Sequence, residues 1–384
     1  VIVLAQFAGT SLWFAGNAVL RDLQPLPGGS GWITSAVQLG FVAGTLCYAL
    51  LGIADRFPTT RVFLLSVFLA ALANVGWLPF PPEAPIILFS RFLTGFFLAG
   101  VYPVGMKIAA DWFRPVLGRA MGLLVGALVL GTAFPHLLRG LDQHWPYRTV
   151  LLVVSGIALA GGLLLAAVVP SRPVQGLTTR FDSRALAVLA RPSPLRSAAL
   201  GYFGHMWELY TFWAFLPVIL TMYRRLHPDV SVDSSLGTFA VIAMGFLGCT
   251  LGGLAALRIG SPRVAFGQLL SSGLCIALLP LLLHAPPAVF APYLLLWGAT
   301  ASGDSPQFST LVSQHAPVEV RGSLLALVTS LGFGLTVVSI QLLDAVLGQT
   351  PTPWAFWLLV PGPVAGLWAM RRFFTDVGRW TYDV

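Results

Sequence analysis

His205 and Glu208 stand three residues apart inside a long apolar run, so a helix would place the imidazole and the carboxyl group on one face. A carboxylate near the middle of hydrocarbon is costly while charged. Taking a proton from one side and releasing it to the other is the chemistry such a group supports. Asp304 lies at similar depth in a second run, Gly303-Asp304-Ser305-Pro306, where Pro306 frees a backbone carbonyl and can bend a helix beside the carboxyl group. Glu208, Asp304 and His205 are therefore read as a proton or cation relay. A second reading stays open: a buried polar knot, Glu208 paired with His205 and Asp304 with Ser302 or Ser305, that holds helices together without titrating.

The elements that must position these groups follow from composition. Hydrophobic residues make up 57% of the 384 and charged residues 9%, too little polar surface for a water-soluble globule of this length. Helices satisfy every backbone group internally, and apolar runs of about 20 residues match the bilayer. About twelve such runs are predicted. The first six lie near 1–20, 31–54, 62–80, 85–111, 120–140 and 149–169, and the second six near 197–220, 236–257, 264–283, 288–312, 322–344 and 352–370. The first run already begins at Val1, so this span is expected to be clipped, and no cleavable signal peptide is evident.

The runs form two copies of one unit. Ala54-Asp55-Arg56-Phe57-Pro58-Thr59-Thr60-Arg61-Val62 returns as Ala256-Leu257-Arg258-Ile259-Gly260-Ser261-Pro262-Arg263-Val264, a shift of 256 − 54 = 202. Cys47/Cys249 and Arg119/Arg321 keep that shift, while Gly95/Gly298 and Pro103/Pro306 differ by 203. A parallel repeat of this size implies a secondary-transporter plan, with a site at the bilayer midplane where the halves meet. The expected domains are residues 1–169, a linker over 170–196, and residues 197–384. Within the linker, 182–190 reads either as a short amphipathic helix on the inner leaflet or as part of a solvated tether.

Arginines concentrate on alternate loops, among them Arg56, Arg61, Arg114, Arg172, Arg180, Arg258, Arg263 and Arg321, and on the tail at Arg371 and Arg372. Both termini are therefore expected in the cytoplasm. The net charge of +8 reflects this topology and anionic lipid; the arginines are too dispersed for a nucleic-acid site. Cys47, Cys249 and Cys275 fall within runs and lack metal-ligand spacing, so neither a disulfide framework nor a metal site is expected. No nucleotide loop or nucleophile/base constellation points to an enzyme, and no cofactor is expected.

At Leu51-Gly52-Ile53-Ala54-Asp55-Arg56-Phe57-Pro58-Thr59-Thr60-Arg61 the chain resembles the major facilitator superfamily, whose signature loop joins the second and third helices. Leu51 and Pro58 stand where that family usually has glycines. The resemblance implies an all-α membrane protein of two pseudo-symmetric six-helix bundles. It also implies a cytoplasmic latch built from Asp55, Arg56, Arg61 and Arg119, with Asp55 facing the positive end of the helix that begins near Gly322. Arg91 and Gly95 resemble a second family signature. The arginine either faces the bundle interior or snorkels to the nearby outer interface. The fifth run carries Gly126, Gly131 and Pro135, but the proline does not follow a glycine as the antiporter signature requires.

In this family the first, fourth, seventh and tenth helices line the cavity. Substrate contacts are accordingly expected from Gln6, Thr10, Trp13, Asn17, Arg91, Tyr102, Tyr210, Trp297, Thr300 and Gln307, while Trp297, Ala301, Asp304 and Phe308 share one helical stripe. Lys107, the only lysine, is expected to pair with Asp111 one turn on. Together these readings predict a monomeric, multi-pass protein of a bacterial inner membrane that moves a small polar organic solute by alternating access, coupled to protons or another cation. Efflux of amphipathic drugs is the alternative, and a non-transporting receptor or scaffold a third.

Overall fold

With lipid as the main solvent, each segment must close its own backbone hydrogen bonds, and the segments of this chain do so as helices. The computed structural model describes residues 1–23, 31–113, 117–142, 145–170, 181–191, 193–231 and 233–375, side chains of residues 21 and 117–119 excepted. Eight helices are long and apolar enough to cross a membrane: Gly31–Leu51, Ala84–Trp112, Ala120–Leu141, Tyr147–Val168, Ser234–Ile259, Ser261–Leu282, Val318–Gln349 and Pro353–Thr375. Four further spans fall between them among the described residues. The first is broken into Ile2–Thr10 and Ala15–Ala18, the third is Thr59–Val75, the seventh is Pro194–Leu226, and the tenth is broken into Pro287–Gly303 and Ser305–His315. The spans are numbered in chain order, first to twelfth.

The repeat survives in three dimensions. The fourth span is broken like the tenth, into Ala84–Leu98 and Tyr102–Trp112, and every boundary after the break and at the start differs by 203: 287 − 84, 305 − 102 and 315 − 112. Pro103 and Pro306 sit in the first turn of the restarted helices, where a missing N–H costs nothing. Glycines hold the equivalent helix pairs together. A Cβ on Gly95 would lie 2.0 Å from the carbonyl oxygen of Val37, and one on Gly298 1.9 Å from that of Val241. Likewise Gly44 abuts the carbonyl of Phe96 at 2.2 Å, and Gly248 that of Ala299 at 1.9 Å. Backbones in lipid approach this closely only where side chains are absent.

These contacts correct the register inside the second and eighth spans, where the shift is 241 − 37 = 248 − 44 = 204 rather than 202. Thr45, not Cys47, therefore holds the place of Cys249. The following helices, starting at Thr59 and Ser261, return to 202. The first half spends its two extra residues at Gly52–Phe57, where Gly52 takes a left-handed φ of 59° and a single helical turn, Ile53–Arg56, follows.

The halves meet along the fifth and eighth spans and along the second and eleventh. Gly126 faces Phe246, Gly31 faces Ile340 and Asp344, and Gln341 donates to the hydroxyl of Ser35 at 2.7 Å. The linker contributes the short helix Arg184–Ala190, with Ala185 buried and the Asp182 amide bonded to Ser323 at 2.9 Å. Ser323 and Gln341 lie 18 residues apart on one helix, about 27 Å at 1.5 Å per residue. The Ser35–Gln341 closure is thus at the end of the molecule remote from the linker.

Candidate functional site

A cavity lies between the halves, with about 350 Å³ of atom-free space, its open side included. Tyr202, Met206, Leu209 and Trp213 contribute one face of the seventh span, stepping by four, three and four residues, and Tyr210 stands beside them. Tyr102 comes from the restarted half of the fourth span, Val125, Leu128 and Val129 from the fifth, Ser302 and Ser305 from the break in the tenth, and Phe333 from the eleventh.

Helix phase decides what does not reach this cavity. Glu208 precedes Leu209 by one residue and so points about 100° away from the lining face. Its carboxyl group turns into the second half, toward Ser272 and Cys275 of the ninth span, and neither oxygen makes an aligned hydrogen bond. His205 is also turned inward. Its Nδ1 lies 2.8 Å from Oδ1 of Asp304, both side chains are fully buried, and the rings of Tyr202 and Phe308 flank the imidazole at 5.9 Å. The contact is a close electrostatic pair without hydrogen-bond alignment. The knot imagined from sequence is therefore rewired: His205 meets Asp304, not Glu208.

Asp304 occupies the break itself, between the helix ending at Gly303 and the one beginning at Ser305, and its carbonyl accepts from the amides of Gln307 and Phe308 at 3.0 Å. The residues two before and one after it, Ser302 and Ser305, face the cavity. The carboxyl–imidazole pair thus sits one side-chain layer behind the wall, inside the second half rather than at the seam.

The first half also buries a charge. Arg91, 2% exposed, directs Nη2 to the carbonyl oxygens of Leu12 and Trp13 at 3.0 and 2.5 Å and Nη1 to Oδ1 of Asn74 at 2.7 Å. Those carbonyls belong to the break in the first span, and Gly16 leaves room for the guanidinium. Asn74 continues the chain of contacts to Ser155 of the sixth span at 3.0 Å. Of the two orientations the sequence left open, the structure shows the interior one, with Nη2 bonded to backbone and Nη1 to the Asn74 side chain rather than aimed into the cavity. The break so held presents Trp13 to Tyr210 and Phe333 at ring distances of 5.8 and 5.5 Å, and Phe14 to Trp213 at 6.0 Å. This aromatic cluster joins the halves above the cavity.

Of the other residues expected to touch substrate, Tyr102 and Tyr210 line the cavity. Gln6 is buried against Gly105, Thr10 donates to the carbonyl of Gln6 at 2.7 Å, and Asn17 donates to Thr34 at 2.6 Å. Trp297 stacks on Phe212 at 4.0 Å, Thr300 donates to its own helix at Leu296, and Gln307 is buried. The stripe Trp297, Ala301, Asp304, Phe308 is real, and all four are fully buried, facing the bundle interior. Tyr202, Trp213, Ser302, Ser305 and Phe333 were missed. The spacing of Tyr202, Met206, Leu209 and Trp213 was the available signal.

At the linker end, Lys107 pairs with Asp55 and donates to the carbonyl of Ala54 at 2.6 Å, so its partner is not Asp111. The turn Ile53–Arg56 brings Asp55 to the fourth span, a contact that local helical spacing cannot reveal. Arg56 and Arg61 are exposed, and the Arg119 side chain lies outside the described residues. No three His, Cys, Asp or Glu side chains cluster as metal ligands among the described residues.

Comparison with known proteins agrees with this architecture. The human organic anion transporter MFSD10 superposes with a TM-score of 0.73 at 17% identity, covering 96% of this chain and 98% of that one. The proton:xylose symporter XylE superposes at 0.75 and 15%, covering 97% and 95%. In sequence, the niacin transporter NiaP of Acinetobacter baylyi is 30% identical over 32% of this chain and 30% of its own length. The 3-(3-hydroxy-phenyl)propionate transporter of Escherichia coli is 25% identical over 65% and 61%. The chain thus spans less than two thirds of either curated relative. The family model of the Major Facilitator Superfamily matches residues 1–339, and with the doubled six-helix plan this establishes that the chain belongs to that superfamily.

Proposed function

We propose that the protein is a proton-coupled secondary transporter of a small polar organic solute, working by alternating access between halves 1–169 and 197–384 around the central cavity. The observation that carries the reading is the pairing of a cavity between two repeats with a buried carboxyl–imidazole pair one layer behind its wall. The relatives named for niacin and for 3-(3-hydroxy-phenyl)propionate support a solute of that size. Asp304 and His205 exchange the proton, Glu208 holds a second one in the same half, and Tyr102 and Tyr210 contact substrate. The protein acts in a bacterial inner membrane as a monomer, both termini in the cytoplasm, and Asp55, Arg56, Arg61 and Arg119 bias the state of the linker end. The structure then represents a state closed at the end remote from the linker.

Reconstitution tests this. In proteoliposomes Glu208→Gln should abolish uptake driven by an imposed pH gradient while exchange persists; unchanged pH dependence removes Glu208 from the coupling role. The apolar side chains of Val125, Leu128, Val129 and Leu209 in the wall favour a second reading, proton-driven efflux of amphipathic compounds. Broad competition among unrelated lipophilic cations would select it over saturable, stereospecific uptake.

A further inference from the structure

The cavity wall carries rings and hydroxyls and no formal charge. Tyr102, Tyr202, Tyr210, Trp213 and Phe333 surround it with the two serines that flank Asp304, and none of the twelve lining residues is Asp, Glu, Lys, Arg or His. The buried charges nearby are directed elsewhere. Arg91 directs Nη2 to the first span's carbonyls and Nη1 to Asn74, His205 and Asp304 face each other, and Glu208 turns toward the ninth span.

An anion entering such a space gives up hydration without meeting a cation. An ammonium meets ring faces but no carboxylate to complete the exchange for water. A flat ring bearing a neutral hydrogen-bonding group loses far less. It gains edge and offset contacts with five aromatic side chains, while tyrosine and serine hydroxyls both donate and accept. Resting on the transporter reading above, we infer that the cavity selects an uncharged aromatic solute with an amide or hydroxyl group, and discriminates against the carboxylate and the ammonium on the same ring.

Three probes of matched shape test it: benzamide, benzoate and benzylammonium, measured by equilibrium dialysis against the purified full chain at neutral pH. Benzamide should bind about tenfold or more tightly than either ion, a difference of about 1.4 kcal/mol. Tyr210→Phe should weaken benzamide several-fold and keep the ranking, whereas Met206→Lys, which sets a cation in the wall, should invert benzamide and benzoate. Should the lysine variant fail to fold, the ranking of the three probes on the unaltered protein still decides. Equal or tighter binding of benzoate or benzylammonium overturns the inference, as does absence of benzamide binding. Vesicle uptake separates the two proposals. Selective benzamide binding without any solute movement refutes transport alone; saturable uptake of a carboxylate that benzamide does not compete refutes the selectivity alone.

Discussion

Each half buries charge beside a broken helix, and the two halves treat it in opposite ways. In the first, Arg91 faces three oxygen acceptors within 3.0 Å, two of them carbonyls that the break in the first span exposes. In the second, Asp304 sits in the break of the tenth span with His205 as its side-chain partner, and neither carboxyl group, Asp304 or Glu208, makes an aligned side-chain hydrogen bond. A guanidinium stays charged throughout the physiological range, so fixed acceptors can hold it. Carboxyl and imidazole groups that exchange a proton need surroundings that do not lock one state. The contrast separates a well-partnered strut in one half from a sparsely partnered carboxyl–imidazole pair in the other, the arrangement on which the proposed proton exchange rests.

Substitutions can break or sharpen this contrast. The largest effect is expected from Asp304→Asn, which should remove pH-gradient-driven uptake entirely yet cost little thermal stability, because the amide keeps the shape of the carboxyl group and a neutral His205 leaves no unpaired buried charge. Unfolding of this variant would make Asp304 a strut as well. Arg91→Met should do the reverse. It orphans the carbonyls of Leu12 and Trp13 and the amide oxygen of Asn74, at about 1–3 kcal/mol each, and should appear as a strongly lowered melting temperature in a thermal-shift assay. Gln341→Ala removes one tie between the halves, worth about 1 kcal/mol, and should raise maleimide labelling of an Ile340→Cys probe, a buried position facing Gly31 across the same seam. Unchanged labelling would show that the aromatic cluster alone closes that end.

The smallest effect concerns the linker. Arg184 hydrogen-bonds the Asp182 carboxyl and holds it below its usual range. A depressed carboxyl pKa contributes stability above its unfolded value, about 3.9, that is lost as pH falls through the lower folded value. The pair is open to solvent, so the change should be small and visible only as a site-specific carbonyl titration, absent in Arg184→Ala.

Much of the architecture was legible because it depends on local chemistry. Apolar length announced the spans, Pro306 announced a bend in the tenth, and of the two readings of 182–190 the structure shows the short helix, while the equivalent break at Pro103 was not foreseen. What escaped was the rotation of one helix against its neighbours. His205 and Glu208 were correctly seen to share a face, but sequence spacing does not say whether that face meets the cavity or the ninth span. The same limit hid the Lys107–Asp55 contact, which joins residues 52 apart, and the two-residue register change absorbed at Gly52–Phe57. Arg91 shows a third kind of blindness: its depth was readable, but two of its three partners are backbone oxygens whose identity no side-chain pattern encodes.

The glycine contacts carry a mechanical consequence. Where Gly95 and Gly298 press onto a facing main chain, two helices share one outline, and sliding either past the other would drive bare atoms into collision. Across the midline, Gly31, Gly126 and Gly140 instead meet mostly the ends of Asp344, Phe246 and Leu236, which rotate about their own bonds. The rocking proposed above would accordingly fall at the boundary that flexible tips can accommodate and leave each six-helix unit a single casting.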